Sequence, residues 1–522
     1  MPVKAAFERL TRLWTRPCSP WIAIFLAANL VIHPDYGTNP ESRFAALCAM
    51  VEDHSFRIDH YKDLTIDWAR TPDGHYYSNK APGPMLLGFP VFWVMDKVWT
   101  AGAAGVEPQA RPPQRAQRTQ SPRRNDLVAE RTASLQAARD GARIAHAGTS
   151  LAVLSLLFQA LPFALLVALA AEWLEGVGAS PGAIHLACAA MLFGNTASLF
   201  MNTYFGHGMA AVCVLALCLC LIKRWYVWAG LAYGWALLAD YSSAVLLPGF
   251  LAAALTGAPP GGRLRALWKI GLGGLLPGVL WVWYHVACFG GPFTLPGKYQ
   301  NPMFVDAAHD RILGLFSLAP NPVVAARLLG GFDRGILWSQ PWLLVVVILC
   351  LVWGICLTRR TQYNRGLGGD PVFWPAAAGQ LLLFLLPGLL LLLWMNASFG
   401  KWEGGATPGP RYMCSVFPAF GLLGGLLFDK MFVWMRRLLV GGVVFAVVFW
   451  ILAFSTQILV PEGRTIWGYT FHWLIHPSGS GPIIRVGTLV LVFEWQLWRL
   501  LFDRRNGAPV TAPRTENVPK PS

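Results

Sequence analysis

GHYYSNKAPGPMLLGFP, residues 74–90, leads into an apolar run that continues to Val94, and whether that run crosses a membrane sets the sidedness of every later segment. The class of protein is read from its surroundings. Only 13% of the 522 residues are charged and 55% are hydrophobic, whereas a soluble globular protein carries about 25% charged residues. The chain therefore reads as an all-α polytopic membrane protein. A formal net charge of +15 does not point to nucleic acid, because Lys and Arg sit in short clusters between apolar runs, as at a cytoplasmic membrane boundary.

A membrane span needs about 20 apolar residues, fewer when the helix is short. Runs near 19–33, 150–172, 183–201, 207–222, 225–240, 243–258, 270–288, 336–357, 374–396, 413–428, 438–459 and 483–499 meet this, giving about 12 transmembrane helices. The stretch 84–100 is a further candidate. If it does not span, Lys223, Arg224, Arg263, Arg265, Lys269, Arg359, Arg360, Arg365, Lys430, Arg436, Arg437, Arg504 and Arg505 all fall on the N-terminal side, so every short basic loop is cytoplasmic. If it spans, all of them face outward, because the Arg- and Pro-rich stretch 107–145 cannot cross lipid. The run 84–100 is therefore expected to be an interfacial or re-entrant helix on the outer surface.

The N-terminal stretch has a basic region and an apolar run without a small-residue cleavage site, and reads as an uncleaved first helix. The expected organisation is a cytoplasmic segment 1–18, then a membrane core 19–300 with a large first extracytoplasmic loop 34–149 that contains interfacial helices and a flexible insert 107–145. A C-terminal transmembrane region 301–500 follows, with outer loops 301–335, 397–412 and 460–482, and a disordered cytoplasmic tail 501–522. Both termini are cytoplasmic and the functional face is outside. Cysteines such as Cys188, Cys213, Cys218, Cys220 and Cys350 lie inside apolar runs and read as small buried hydrophobes.

In the first outer loop Asn39 reads as a helix N-cap, with Pro40 at the first helical position and Glu41 in the first turn. Phe44, Leu47, Cys48 and Val51 then fall at i, i+3, i+4 and i+7, which predicts an amphipathic helix over 40–53 lying along the membrane surface. Read structurally, Glu41 is a carboxylate stabilising a helix N-terminus, worth about 0.3–1 kcal/mol.

A short first helix, an acidic residue opening an amphipathic helix (PESRFAALCAMVED, 40–53), a Lys-x-Pro element (KAPG, 80–83) and a later outer GPRY (409–412) resemble the GT-C superfamily. These are integral membrane glycosyltransferases that use polyprenyl-phosphate sugars, among them the protein O-mannosyltransferases and the lipid A aminoarabinose transferases. The resemblance covers the organisation of most of residues 19–300 and the rest more loosely. It implies an acidic base in the first outer loop, usually one of an Asp-Glu pair. Pro40 stands where the Asp of that pair would be, which leaves Glu41, with Asp35 upstream as the alternative. It also implies that Lys80 contacts the lipid phosphate.

A carboxylate in reach of the acceptor can take its proton as it attacks the anomeric carbon. Cations near the departing phosphate stabilise the charge that develops there. Lys80 is a point charge held by a rigid Ala-Pro-Gly-Pro backbone, and Arg411 and Arg334 are planar forks suited to the same task. The competing reading of Lys80 is a snorkelling interfacial lysine. Arg43, Tyr204, His207, Asp240 and Tyr241 are candidate substrate contacts; a histidine near a helix end is also a common structural residue, and Asp240 is also a natural helix cap. Tyr77, Trp402 and Tyr412 could stack on sugar faces or belong to an aromatic belt.

No metal or other cofactor is expected, since the outer segments hold no HxxxH or DxD motif. Asp59, Asp63 and Asp67 have a four-residue period that would stack them on one helix face. The expected partners are a polyprenyl-phosphate sugar, a lipid, glycan or protein acceptor, and membrane lipids, with no nucleic acid. A bacterial-type inner membrane is the expected location. Two other classes remain open: a transporter or flippase of a lipid-linked substrate, and a non-catalytic envelope scaffold.

Overall fold

A computed structural model describes residues 16–31, 37–101, 136–304, 316–317, 319–363, 376–405, 407, 409–456 and 468. The protein is mostly helical. Among the described residues five helices are long and apolar enough to cross a membrane: Ala147–Gly176, Pro260–Phe289, Ala377–Ala397, Arg411–Phe428 and Val433–Ile451. Pro181–Leu192 and Thr196–Asn202, bent by 61°, make a sixth if taken as one span. Every run expected from the sequence coincides with a helix or a helix pair, except 483–499, which lies outside the described residues. The protein is thus a multi-pass helical membrane protein.

In chain order the principal elements are α1 (Ser19–Val31), α2 (Thr38–Glu52), β1 (Trp68–Arg70), β2 (Tyr76–Ser78), α3 (Gly83–Ala101), α4 (Ala147–Gly176), α5 (Pro181–Leu192), α6 (Gly206–Ile222), α7 (Tyr226–Ala239), α8 (Leu247–Gly257) and α9 (Arg263–Phe289). The C-terminal helices are α10 (Pro322–Gly330), α11 (Pro341–Tyr363), α12 (Ala376–Ala397), α13 (Phe417–Phe428) and α14 (Val433–Thr456). α9 shows how such a helix meets lipid. Leu264, Trp268, Leu275, Val279, Val282 and Val286 recur on one face and are exposed, a surface stable against acyl chains and costly in water. Its opposite face packs on α7 so closely that a Cβ on Gly273 would lie 1.8 Å from the Val227 carbonyl oxygen.

The two ends of the bundle differ. At one, Arg16 lies 3.5 Å from Glu172 at the C-terminal end of α4, and the Ser180 hydroxyl donates to Asp429. At the other, the loop 37–101 forms a layer over the helix ends. α2 and α3 pack together, with Phe44 and Phe92 edge to face at 5.6 Å. β1 and β2 pair antiparallel, Trp68 opposite Ser78, around a Thr-Pro-Asp-Gly turn whose Gly74 takes φ +91°. The segment after α9 extends this layer, as the Asn301 amide donates to the Trp68 carbonyl.

Several local expectations are corrected. Gly37, not Asn39, occupies the N-cap of α2, and Asn39 lies inside the first turn, where its side chain accepts from Arg43. α2 is buried on most of its circumference, Ser42 and Arg43 included, so it is an interior helix of the loop layer rather than an amphipathic helix with a free polar face. The aspartate ladder does not form. Asp59 accepts from the Tyr76 amide, Asp63 sits in the short turn Lys62–Leu64, and Asp67 precedes β1, so no single helix carries them.

The end of the supposed flexible insert is also structured: residues 136–145 are helical, and Arg143, 3% exposed, bonds to Asp96 of α3, Glu52 of α2 and Asp140. Residues 102–135, the outer loop 460–482 apart from Gly468, the tail 501–522 and Asp35 lie outside the described residues. α3, the run whose reading governs sidedness, carries Asp96 and Lys97 in its second half and is not among the helices apolar enough to cross.

Candidate functional site

The loop layer and the adjoining helix ends enclose a cavity of about 400 Å³, within the ~300–1,000 Å³ typical of small-molecule sites. Among the described residues three cations line it, Arg43, Lys80 and Arg411, against one carboxylate, Asp240. The hairpin positions the lysine. Because Trp68 pairs with Ser78, Asp67 before β1 and Lys80 after β2 emerge side by side, with Lys80 Nζ 2.9 Å from Asp67 Oδ1. Thr38 donates to the other Asp67 oxygen at 2.9 Å. Burial pushes the Asp67 carboxyl up, but the Lys80 charge and the hydrogen bonds from Lys80 and Thr38 outweigh it and hold the carboxyl low. Burial pulls the Lys80 ammonium down, and Asp67 opposes it.

The two arginines are held differently. Arg43, 3% exposed, donates through Nη1 to the Asn39 carbonyl at 3.3 Å and to the Asn39 side-chain oxygen, while its Nε is buried without a partner. Arg411 donates to Thr407 Oγ1 at 3.2 Å and to the Tyr412 hydroxyl at 2.9 Å, and its Nε is likewise buried and unpartnered. Among the described residues neither guanidinium has a carboxylate within ion-pair distance. Burial brings Arg43 down to about 10, so it stays charged at neutral pH. Gly206 permits its approach: a Cβ there would sit 2.1 Å from the Ala239 carbonyl oxygen and 2.7 Å from Arg43 Nη2. Two further lining atoms, Asn79 Oδ1 and Ser242 Oγ, are buried without hydrogen bonds. Orphaned buried polar atoms of this kind are rare in native proteins unless a ligand or water meets them.

Two histidines anchor the floor. His207 Nδ1 is bonded to Asp240 Oδ2 at 2.5 Å, and Asp240 Oδ1 accepts from the Ser242 amide at 3.0 Å. α4 helps to place His207: within its π-turn Leu156–Ala160, Gln159 donates to the Phe205 carbonyl at 2.7 Å. Tyr241 donates its hydroxyl proton to His285 Nε2 at 3.1 Å, since His285 Nδ1 donates to the Trp281 carbonyl at 2.8 Å. Tyr412 stands edge-on to His207, ring centroids 5.5 Å apart, and Phe316 and Phe399 close an apolar wall beside it.

Seven sequence candidates therefore converge on the cavity: Arg43, Lys80, His207, Asp240, Tyr241, Arg411 and Tyr412. Five others described do not line it. Glu41 stands outside, near Asp67, where burial and then the Asp67 charge raise its carboxyl. Arg334 does not reach the cavity and donates to the carbonyl of Thr407, the residue whose hydroxyl serves Arg411. Tyr77 belongs to the core of the loop layer, 5.6 Å from the Phe289 ring. Tyr204 is fully buried and donates to the Pro84 carbonyl at 2.5 Å. Trp402 is covered by the Arg327 guanidinium at 4.6 Å.

Sequence reasoning missed the partnership of Asp67 with Lys80, which the turn residues 71–74 between two short β-like runs signal. It also missed that Asn39, read as a helix N-cap, holds Arg43, and it missed Asn79 and His285, for which no local pattern exists. Comparison of the sequence with models of known protein families and with curated proteins finds no match to either.

Proposed function

We propose that the protein is a membrane glycosyltransferase that moves a sugar from a polyprenyl-phosphate donor to an envelope acceptor on the extracytoplasmic side of an inner membrane, on a GT-C-like frame of about 12 spans. The observation that carries this reading is the convergence with Lys80 on one cavity of two guanidiniums, Arg43 buried and Arg411 half-buried, that have no carboxylate partner among the described residues. A buried unpaired charge costs several kcal/mol, and an arriving phosphate offsets that cost through charge-assisted, bidentate contacts. The same cations stabilise the negative charge that grows on the phosphate as the sugar leaves it. Asn79 and Ser242 offer unsatisfied polar atoms to sugar hydroxyls, and the Phe316–Phe399 wall offers an apolar face.

The test uses the purified full chain in liposomes with a panel of polyprenyl-phosphate pentoses and hexoses labelled in the sugar. The expected result is release of polyprenyl phosphate with transfer of label to an envelope extract, lost in Arg411→Ala. Movement of intact donor across the bilayer without cleavage would instead establish the transporter or flippase reading.

A further inference from the structure

Transfer from a phosphate-linked donor sets one task that the cations do not perform, the removal of the acceptor's proton. The first-loop carboxylates are poorly placed for it among the described residues. Glu41 lies outside the cavity, and Asp67 is already engaged by Lys80 and Thr38. We infer that His207, oriented by Asp240, takes the acceptor's proton; the inference rests on the glycosyl-transfer reading above.

Three features of the geometry carry it. A carboxylate can only accept, so the proton of the His207–Asp240 bond sits on Nδ1, and the neutral ring presents an unprotonated Nε2. His207 lines the cavity, and among the described residues its Nε2 has no hydrogen-bond partner, which leaves it open to the cavity. Both Asp240 oxygens are committed, one to His207 and one to the Ser242 amide, which fixes the plane in which it holds the ring. Phe200 and Tyr412 stand edge-on to the imidazole at 5.4 and 5.5 Å, and Phe205 stacks near it at 6.2 Å. This is the arrangement of a base and its orienting acid, assembled from the starts of two apolar segments 33 residues apart.

In the step, the acceptor's oxygen or nitrogen bonds to the anomeric carbon as the bond from that carbon to the phosphate oxygen breaks. The bonding pair leaves with the phosphate, which Arg43, Lys80 and Arg411 hold. The acceptor's proton passes to His207 Nε2, and the imidazolium so formed faces the Asp240 carboxylate until the proton returns to solvent.

The experiment uses the same liposomes and labelled panel, together with binding of sugar-free polyprenyl phosphate. His207→Ala should lower turnover by about 10²–10⁴-fold and leave polyprenyl phosphate binding intact. Added imidazole should restore part of the rate by entering the space the side chain vacates. Asp240→Asn retains an oxygen for the Ser242 amide but presents an NH2 to Nδ1, so the ring takes the tautomer with Nε2 protonated; kcat should fall with KM unchanged. Turnover by His207→Ala equal to wild type, a loss that imidazole does not restore, or loss of turnover in Glu41→Gln beside an active His207→Ala would each overturn the assignment. Wild-type protein that cleaves none of the donors refutes the transfer reading itself, and the assignment with it.

Discussion

Replacing Arg43 by methionine should leave the empty protein about as stable as before while removing most of its affinity for a polyprenyl phosphate. Arg43 is 3% exposed, and its only hydrogen bonds among the described residues go to Asn39. Exchanging a buried ion pair for apolar side chains is commonly neutral or stabilising by about 1–4 kcal/mol because the desolvation cost leaves with the charges, and a lone buried guanidinium carries a cost of the same kind. Loss of the bonds to Asn39 costs about 1.5–3 kcal/mol, so the two terms nearly cancel. With ligand present the balance changes. Deleting one buried cation from a phosphate contact costs about 2–4 kcal/mol, or about 30- to 900-fold in Kd. Thermal unfolding in nanodiscs, with and without polyprenyl phosphate, measures both. At 100 times its Kd the ligand stabilises wild type by about 2.7 kcal/mol, and a variant weakened 100-fold gains only about 0.4 kcal/mol. A variant that unfolds far below empty wild type yet keeps the full ligand shift would refute the idea that Arg43 is an anion contact rather than a structural residue.

Other outcomes follow from the same contacts. Lys80→Ala leaves Asp67, 6% exposed, as an unpaired buried carboxylate, so it should lose about 3–5 kcal/mol of stability, most of it recovered in Lys80→Met/Asp67→Asn; equal melting of the two variants would show the pair to be incidental. Glu41, with its carboxyl raised by burial and Asp67, makes no contribution below the ordinary carboxylate range and opposes folding once ionised, above its raised pKa. Glu41→Gln should therefore gain stability over wild type at pH 7 and not at pH values near 3, and an unchanged difference across that range would count against the burial argument. Arg143→Met strands Asp96, 1% exposed, and should cost about 3–5 kcal/mol in a melting experiment, partly recovered by adding Asp96→Leu.

How far the site was legible can be followed residue by residue. Lys80, His207, Asp240, Tyr241 and Arg411 were all readable as polar residues beside apolar runs, and counting the runs puts them at one end of the bundle. What each of them holds was not readable. Lys80 pairs with Asp67 only because of the hairpin register, and His207 meets Asp240 only because α6 and α7 return to the same end. Arg334 looked equivalent to Arg411 in sequence, yet Arg411 lines the cavity and Arg334 is held by the Thr407 carbonyl outside it. Glu41 matched a pattern whose neighbour, Pro40, had already departed from it, and its carboxylate stays outside the cavity. The helix over 40–53 was legible from its period, whereas its burial on nearly all sides was not, because that depends on what packs against it.

By itself the sequence determined the helical, multi-pass class of the protein, the position of its apolar helices and the clustering of cations outside them. Those properties arise from length, period and hydropathy, which are local and additive along the chain. Only the tertiary structure decided which cations are compensated and which are not, that His207 is oriented by Asp240, and that Arg143 is an interior residue tying the loop layer together. These depend on burial and on contacts between residues far apart in sequence, where the same charged side chain is nearly neutral in its effect on the surface and decisive in the interior.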